Sequence, residues 1–236
     1  DLICGSNVIC HIPDLKNLIL SIDELLSKKG LFIFEEPYMG SMFEKISYDQ
    51  IYDEHIYMFS ISSVKKIFEL FNFELIDVLP QFTHGGSMRY VVARKNVFEP
   101  NSRVNHLLIK EKQNKLHLID SCFKFKKKCE ESRRKFKIKI KKLKINGKKI
   151  CGYAASAKST TALNYCGIDH SYIDFIVDST KEKIGKFTPG THIPIKSPDY
   201  FRKNYPDVAI LNSWNHKKEI LKKERKFKLR GGKWIS

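Results

Sequence analysis

Tyr52, Asp53, Glu54 and His55 stand in one run, and His84-Gly85-Gly86-Ser87-Met88-Arg89 follows shortly after. Imidazole is the side chain whose ordinary pKa lies nearest neutrality, so His55 can accept a proton without special help. A neighbouring carboxylate, Glu54, would orient the ring, and the Tyr52 hydroxyl can hydrogen-bond a carbonyl or an enolate oxygen. His11 follows the first strand-like segment. It either faces the crevice at the strand ends of an open α/β sheet or caps the next helix. The two glycines of the His84–Ser87 turn let backbone come close to a ligand, and Arg89 beyond them can pair with a phosphate; a plain hairpin turn accounts for the same residues equally well. A third stretch, Gly152-Tyr153-Ala154-Ala155-Ser156-Ala157-Lys158, joins a strand to a helix through small residues. Free N–H groups there would favour an anion beside Lys158, or the small residues serve tight packing. It is neither GxxxxGK[ST] nor GxGxxG.

These residues need a scaffold, and hydrophobic periodicity supplies one. Residues 1–4 form a short apolar run that reads as a buried parallel strand, with Gly5-Ser6-Asn7 as its exit loop. Pro13-Asp14 opens a helix to about Ser27, with Leu15, Leu18, Ile19 and Ile22 on one face. Residues 31–36 form the next strand. Residues 38–61 read as irregular, and Ser62 caps a helix to about Phe71. Segments 73–78 and 88–94 pair as an antiparallel hairpin. One helical region spans 104–145 up to Asn146-Gly147. A second α/β unit follows, with strands at 150–153, 172–178 and 207–212, a helix ending near Tyr165 and a basic helix from His216 to about Lys226.

The chain of 236 residues has room for one or two domains with a real core. No apolar run reaches membrane-span length and no secretory signal opens the chain, so a cytoplasmic protein without membrane association is expected. The six cysteines include no CxxC pair, so buried thiols rather than a zinc site are expected and no metal ligand is assigned. A formal net charge of +17 attracts phosphate, but the lysines concentrate in 124–149 and 217–233 with few interleaved aromatics. That pattern fits a solvated helix surface better than a nucleic-acid patch, although a basic nucleic-acid- or phosphate-binding module without catalysis is the alternative function.

Taken in order, five motifs resemble a family: Asn7-Val8-Ile9-Cys10-His11-Ile12-Pro13-Asp14, Tyr-Asp-Glu-His-x-x-x-Phe-Ser, His-Gly-Gly-Ser-Met-Arg, Gly-Tyr-Ala-Ala-Ser-Ala-Lys and Pro189-Gly190-Thr191-His192-Ile193-Pro194-Ile195. Trp214-Asn215 and Arg230-Gly231-Gly232 also fit. The chain resembles, over nearly its whole length, the S-adenosylmethionine-dependent C-methyltransferases that act on nucleotide-linked keto-sugars of deoxysugar biosynthesis. The resemblance implies that His55 removes the proton beside the keto group, with Tyr52, Glu54 and His11 in the catalytic set. It implies that Asn7 and His11 line the cofactor pocket. Substrate contacts are expected from His84, Gly85, Ser87, Arg89, Tyr153, Lys158 and Asn212.

The implied fold is the C-terminal half of a Rossmann-like class I methyltransferase sheet (1–99), a helical connector (100–147) and a smaller α/β unit for the sugar nucleotide (148–236). The family often has histidine where this chain has Asp53. Its N-terminal zinc-binding region and glycine-rich first strand–loop have no counterpart here, so zinc is expected only in that absent region. The first strand would match the fourth of the fold. A truncated chain of this kind is expected to bind the cofactor poorly, to be inactive alone and to expose a strand edge at residues 2–4.

Overall fold

The computed structural model describes residues 1–235. It divides into two compact units: the first holds Asp1–Ser47 and Asp53–Lys127, the second Tyr48–Tyr52 and the chain from Lys128 onward. The expected α/β architecture is present in both.

In the first unit, strands β1 (Leu2–Ser6), β2 (Leu31–Pro37), β3 (Phe73–Gln81) and β4 (Ser87–Arg94) form a sheet of order β1-β2-β4-β3. β1 and β2 run parallel, and β4 is antiparallel to both of its neighbours. The hairpin is therefore as expected. Helices α1 (Leu15–Leu25), α2 (Met39–Lys45), α3 (Ile61–Glu69) and α4 (Ser102–Gln113) belong to this unit, and α5 (Ile119–Ile145) begins in it and continues into the second from Lys128. Asp14 caps α1 by accepting the Asn17 N–H at 3.0 Å. Phe32, Phe34, Phe68, Phe73 and Tyr90 dominate the core, and Phe34 stacks on Tyr90 with ring centroids 4.9 Å apart.

Four boundaries depart from the sequence expectation. β1 runs on through Gly5-Ser6, and its residues alternate between exposed and half-buried. It stands at the end of the sheet order, with β2 as its one paired neighbour among the described residues. The segment expected to be irregular contains α2 and a 3-10 turn at Tyr48–Gln50. α2 ends on Ile46 in a left-handed conformation (φ 57°), a role usually signalled by glycine, which hid the helix end. The cap of α3 is Ser60, not Ser62: its hydroxyl accepts the Ser63 N–H, and the Ser63 hydroxyl accepts the Ser60 N–H. The long helical region breaks between α4 and α5, where Lys115 turns left-handed at φ 55°.

In the second unit, β5 (Ile150–Tyr153), β6 (Phe175–Val177), β7 (Ile195–Lys196), β8 (Val208–Leu211) and β9 (Lys233–Ile235) form an all-parallel sheet of order β7-β6-β5-β8-β9. Ile150, Ile176, Val208 and Ile210 pack on one face; Cys151, Tyr153, Val177 and Leu211 pack on the other. Burial of both faces explains why β5 and β8 read as unbroken apolar runs. Helices α6 (Ala157–Cys166), α7 (Pro198–Lys203), α8 (Lys217–Lys223) and α9 (Arg225–Leu229) complete it. The expected terminal basic helix is thus two short helices, which meet at Glu224. The chain order reverses between β5 and β8, the point where open α/β sheets bind ligands at their carboxyl ends. Among the described residues, no helix is long and apolar enough to cross a membrane.

Candidate active site

β1 and β2 are in register, with Ser6 opposite Glu35, so the chain leaving β1 passes directly beside the acidic end of β2. Asn7 sits at φ 53°, a left-handed conformation that asparagine tolerates better than most residues, and its N–H donates to the Glu35 carbonyl at 2.8 Å. Its side-chain Oδ1 is buried without a hydrogen-bond partner. Val8 and Ile9 donate their N–H groups to Glu36 Oε1 at 3.0 and 2.7 Å. A 3-10 turn, Ile9–His11, then brings Cys10 inward and leaves His11 solvent-accessible.

The Cys10 carbonyl accepts the Ile56 and Tyr57 N–H groups at 3.0 and 3.3 Å, and the Tyr57 hydroxyl donates to the Pro13 carbonyl at 2.7 Å. Those bonds tie the His55 loop to the turn that carries His11. The two imidazoles lie with ring centroids 5.2 Å apart and planes inclined by 34°. The structure therefore brings together the two histidines singled out in the sequence. Glu54 is exposed, and Tyr52 packs within the second unit.

One thiol completes the cluster. Cys10 Sγ and one nitrogen from each histidine lie within 4.8 Å of one another, a spacing from which a metal ion can be held. Burial first, then Glu36, pushes the Cys10 thiol well above its ordinary pKa. The cluster thus sets two imidazoles beside one buried thiol. Among the described residues this is the one group that meets the metal-ligand spacing.

The His-Gly-Gly-Ser turn is anchored from several sides. Gly86 adopts φ 130°, and a Cβ there would lie 2.5 Å from Ser41 Oγ, so glycine is required where α2 approaches. Lys45 Nζ donates to the Gly85 carbonyl, and the Ser87 hydroxyl donates to the Thr83 carbonyl at 3.2 Å. His84 is itself left-handed at φ 51°. Arg89 donates from Nη2 and Nε to Glu35 Oε2 at 2.9 and 3.2 Å, so its guanidinium already has a carboxylate partner. Beside this pair, Cys4, Gly5, Ser6, Ile33 and Phe34 line a concavity of about 480 Å³.

In the second unit, Ala154 turns left-handed at φ 78° and Ser156 caps α6, with its hydroxyl oxygen accepting the Ser159 N–H at 3.3 Å. Asn212, just past β8, donates from Nδ2 to the Ala154 carbonyl at 3.3 Å. Gly152 lets it approach, since a Cβ there would lie 2.9 Å from Asn212 Nδ2. Lys158 lies over the Trp214 ring at 5.8 Å, and burial lowers its pKa against the counter-pull of Asp49. Asp49 accepts the Trp214 Nε1–H at 2.9 Å; burial raises its pKa, with Trp214 and Lys158 pulling the other way. Tyr153 points into the core, where its hydroxyl donates to Glu224 at 2.9 Å. Asn212 therefore joins the β5–α6 loop at the switch point between β5 and β8, whereas the Tyr153 hydroxyl is engaged elsewhere.

Sequence reasoning missed Glu36 and Asp49. Glu36 did carry a signal, because two acids at the end of an otherwise apolar strand have to be explained. Asp49 carried none, since its partner Trp214 is remote in sequence.

Residues 1–78 match a family model described as a methyltransferase domain, and residues 82–236 match one described as a C-methyltransferase C-terminal domain. C-methyltransferase NovU from Streptomyces niveus is 31% identical over 235 residues, which cover 99% of this chain and 56% of that protein. The chain thus spans little more than half the length of this relative. With these matches across both units, the chain belongs to the C-methyltransferase family.

Proposed function

We propose that the protein carrying this chain transfers a methyl group from S-adenosylmethionine to the carbon beside the keto group of a nucleotide-linked deoxysugar. The observation that carries the reading is the His11–His55 pair, with ring centroids 5.2 Å apart at the carboxyl end of a parallel strand pair. Family membership supports the reaction type, and a substrate of the sugar class rests on the resemblance of the motifs.

S-adenosylmethionine, when bound, supplies an electrophilic methyl group on a sulfonium. The residues at the β1 exit fit such a ligand: Asn7 Oδ1 is a buried acceptor with no partner among the described residues, suited to an amino or hydroxyl donor. Asn7 and His11 would hold it there.

His55 acts as the base. A ketone acidifies the adjacent C–H, His55 takes that proton, and hydrogen-bond donors stabilise the enolate oxygen. Tyr52 and Glu54 assist as donor and orienting group. Carbon attack on the methyl then depends on positioning rather than on covalent help from the protein. Lys158 and Asn212, with the backbone of the β5–α6 loop, would receive the nucleotide phosphates. His84, Gly85, Ser87 and Arg89 would contact substrate from the other turn, with Arg89 exchanging part of its bond to Glu35. On the resemblance, zinc would belong to a separate N-terminal region.

The test is exchange of the substrate's acidic C–H for deuterium in heavy water, with no methyl donor present. The wild-type protein should wash deuterium into the keto-sugar. His55→Ala should slow the exchange by about 10²–10⁴-fold. Undiminished exchange in that variant would remove His55 from the mechanism.

A further inference from the structure

Glu36 is the last acidic residue of β2, and it is fully buried. A carboxylate in such a place costs stability unless its oxygens are occupied. One oxygen is: Oε1 takes both the Val8 and the Ile9 N–H. The other, Oε2, is sealed from solvent and receives no N–H or O–H among the described residues, while the carboxyl group also bears on the Cys10 thiol. A sheet core by itself would not place a charge here; the two N–H groups that the carboxylate holds account for it.

The consequence of the two occupied bonds can be followed outward. Val8 and Ile9 open the 3-10 turn, which closes through His11 N–H to the Val8 carbonyl at 3.0 Å and Ile12 N–H to the Ile9 carbonyl at 3.2 Å. The turn fixes the Cys10 carbonyl, and that carbonyl holds Ile56 and Tyr57. His11 is the last residue of the turn, and His55 directly precedes the two residues held. One carboxylate oxygen thus sets both imidazoles through four backbone hydrogen bonds. It needs to touch neither ring.

We propose that Glu36 is the positioning residue for the His11–His55 pair. It fixes their separation from beneath while contacting neither substrate nor cofactor. The proposal rests on the proton-transfer reading above, but its structural half can be tested apart from that reading.

Three variants of the full protein separate the roles. Glu36→Gln keeps a side-chain oxygen at the same reach for the two N–H groups. Glu36→Asp keeps the charge but withdraws the acceptor by one methylene, and Glu36→Leu removes the acceptor. Two readouts are followed: amide hydrogen exchange at Ile56 and Tyr57, and kcat against KM for methyl transfer. In Glu36→Asp and Glu36→Leu, exchange at both amides should accelerate at least tenfold. In the same variants kcat should fall about 100-fold, the size expected for misplacing a reacting group by about 1 Å, with KM changed less than threefold. Glu36→Gln should restore slow exchange and most of kcat.

Exchange at Ile56 and Tyr57 that is unchanged in Glu36→Asp would overturn the proposal, as would a Glu36→Gln variant as impaired as Glu36→Asp. If Glu36→Leu does not fold, the Asp and Gln pair still decides. Accelerated amide exchange with unchanged kcat in Glu36→Asp would also reject the positioning role. Loss of deuterium wash-in by His55→Ala bears on the proton-transfer reading alone, so the two failures remain distinct.

Discussion

Two buried carboxylates, Glu224 of the second unit and Glu36 of the first, are treated differently. In the second unit, Glu224 is almost fully buried, yet it accepts from the Tyr153 hydroxyl at 2.9 Å and from Arg202 Nη2 at 2.8 Å. In the first unit, Asn7 Oδ1, Glu36 Oε2 and Tyr90 Oη are sealed with no N–H or O–H partner among the described residues. Burial above all, and then the nearby carboxyl and phenol groups, pushes the Tyr90 hydroxyl well above its ordinary pKa. The Glu224 cluster is satisfied within the fold, as a structural element should be. The first unit carries unmet polar capacity beside its two histidines, and such capacity is tolerated where a ligand or a reaction uses it.

That contrast can be broken by experiment, and the largest effect is kinetic. His55→Ala should reduce substrate deuterium exchange by about 10²–10⁴-fold while leaving the melting temperature within a few degrees. A large loss of stability instead would make His55 a structural residue and erase the contrast.

Glu224→Leu should show the reverse behaviour. It strands the Tyr153 hydroxyl and removes the Arg202 partner, at a cost of about 1–3 kcal/mol in urea unfolding. Deuterium exchange, scaled to folded protein, should be unchanged.

Trp214→Phe is the next step down. It removes the N–H donor to buried Asp49 and should cost about 1 kcal/mol. The pH dependence of stability should also change. The Asp49 pKa is raised on folding, so its contribution is complete below its unfolded pKa and is lost as pH rises through the folded value. Without Trp214 the folded value rises further, and the variant should lose more stability than wild type as pH rises above the unfolded Asp49 pKa.

The smallest effect belongs to a surface pair. Hydrogen bonds from Arg103 hold the Asp77 carboxyl below its usual range, so its contribution is present above the unfolded pKa and is lost as pH falls through the folded one. Asp77→Asn should flatten that acid limb by less than about 1 kcal/mol, as an exposed ion pair allows. Thiol labelling offers a check that needs no mutation. Cys4 is exposed and should react with iodoacetamide well before Cys10, which is buried and held as a thiol.

Much of this was legible in the sequence because periodicity reports burial. The unbroken apolar runs of β2, β5 and β8, the alternation in β3 and the apolar stripe of α1 all point to their elements. Elements fixed by a single unusual residue were not legible. α2 ends on a left-handed isoleucine and α4 on a left-handed lysine, and neither residue type announces a stop. β7 is two residues long and gains its identity only by pairing with β6.

The site followed the same rule. The histidines were visible by type, and their approach depends on a carbonyl of Cys10, a group every residue has. Arg89 read as a free cation because Glu35, its partner, lies on another strand.

The residues Tyr48–Tyr52 have a consequence for how the chain is made. Tyr48 packs near Tyr165 with centroids 5.1 Å apart, and Asp49 bonds Trp214, so these five residues finish a unit whose other members are synthesised later. As the polypeptide leaves the ribosome, the first unit can close once Lys127 has emerged, with this short insert waiting unpaired. A protein expressed from Lys128 onward should therefore be soluble only in part. Supplying the pentapeptide region in trans should raise its yield.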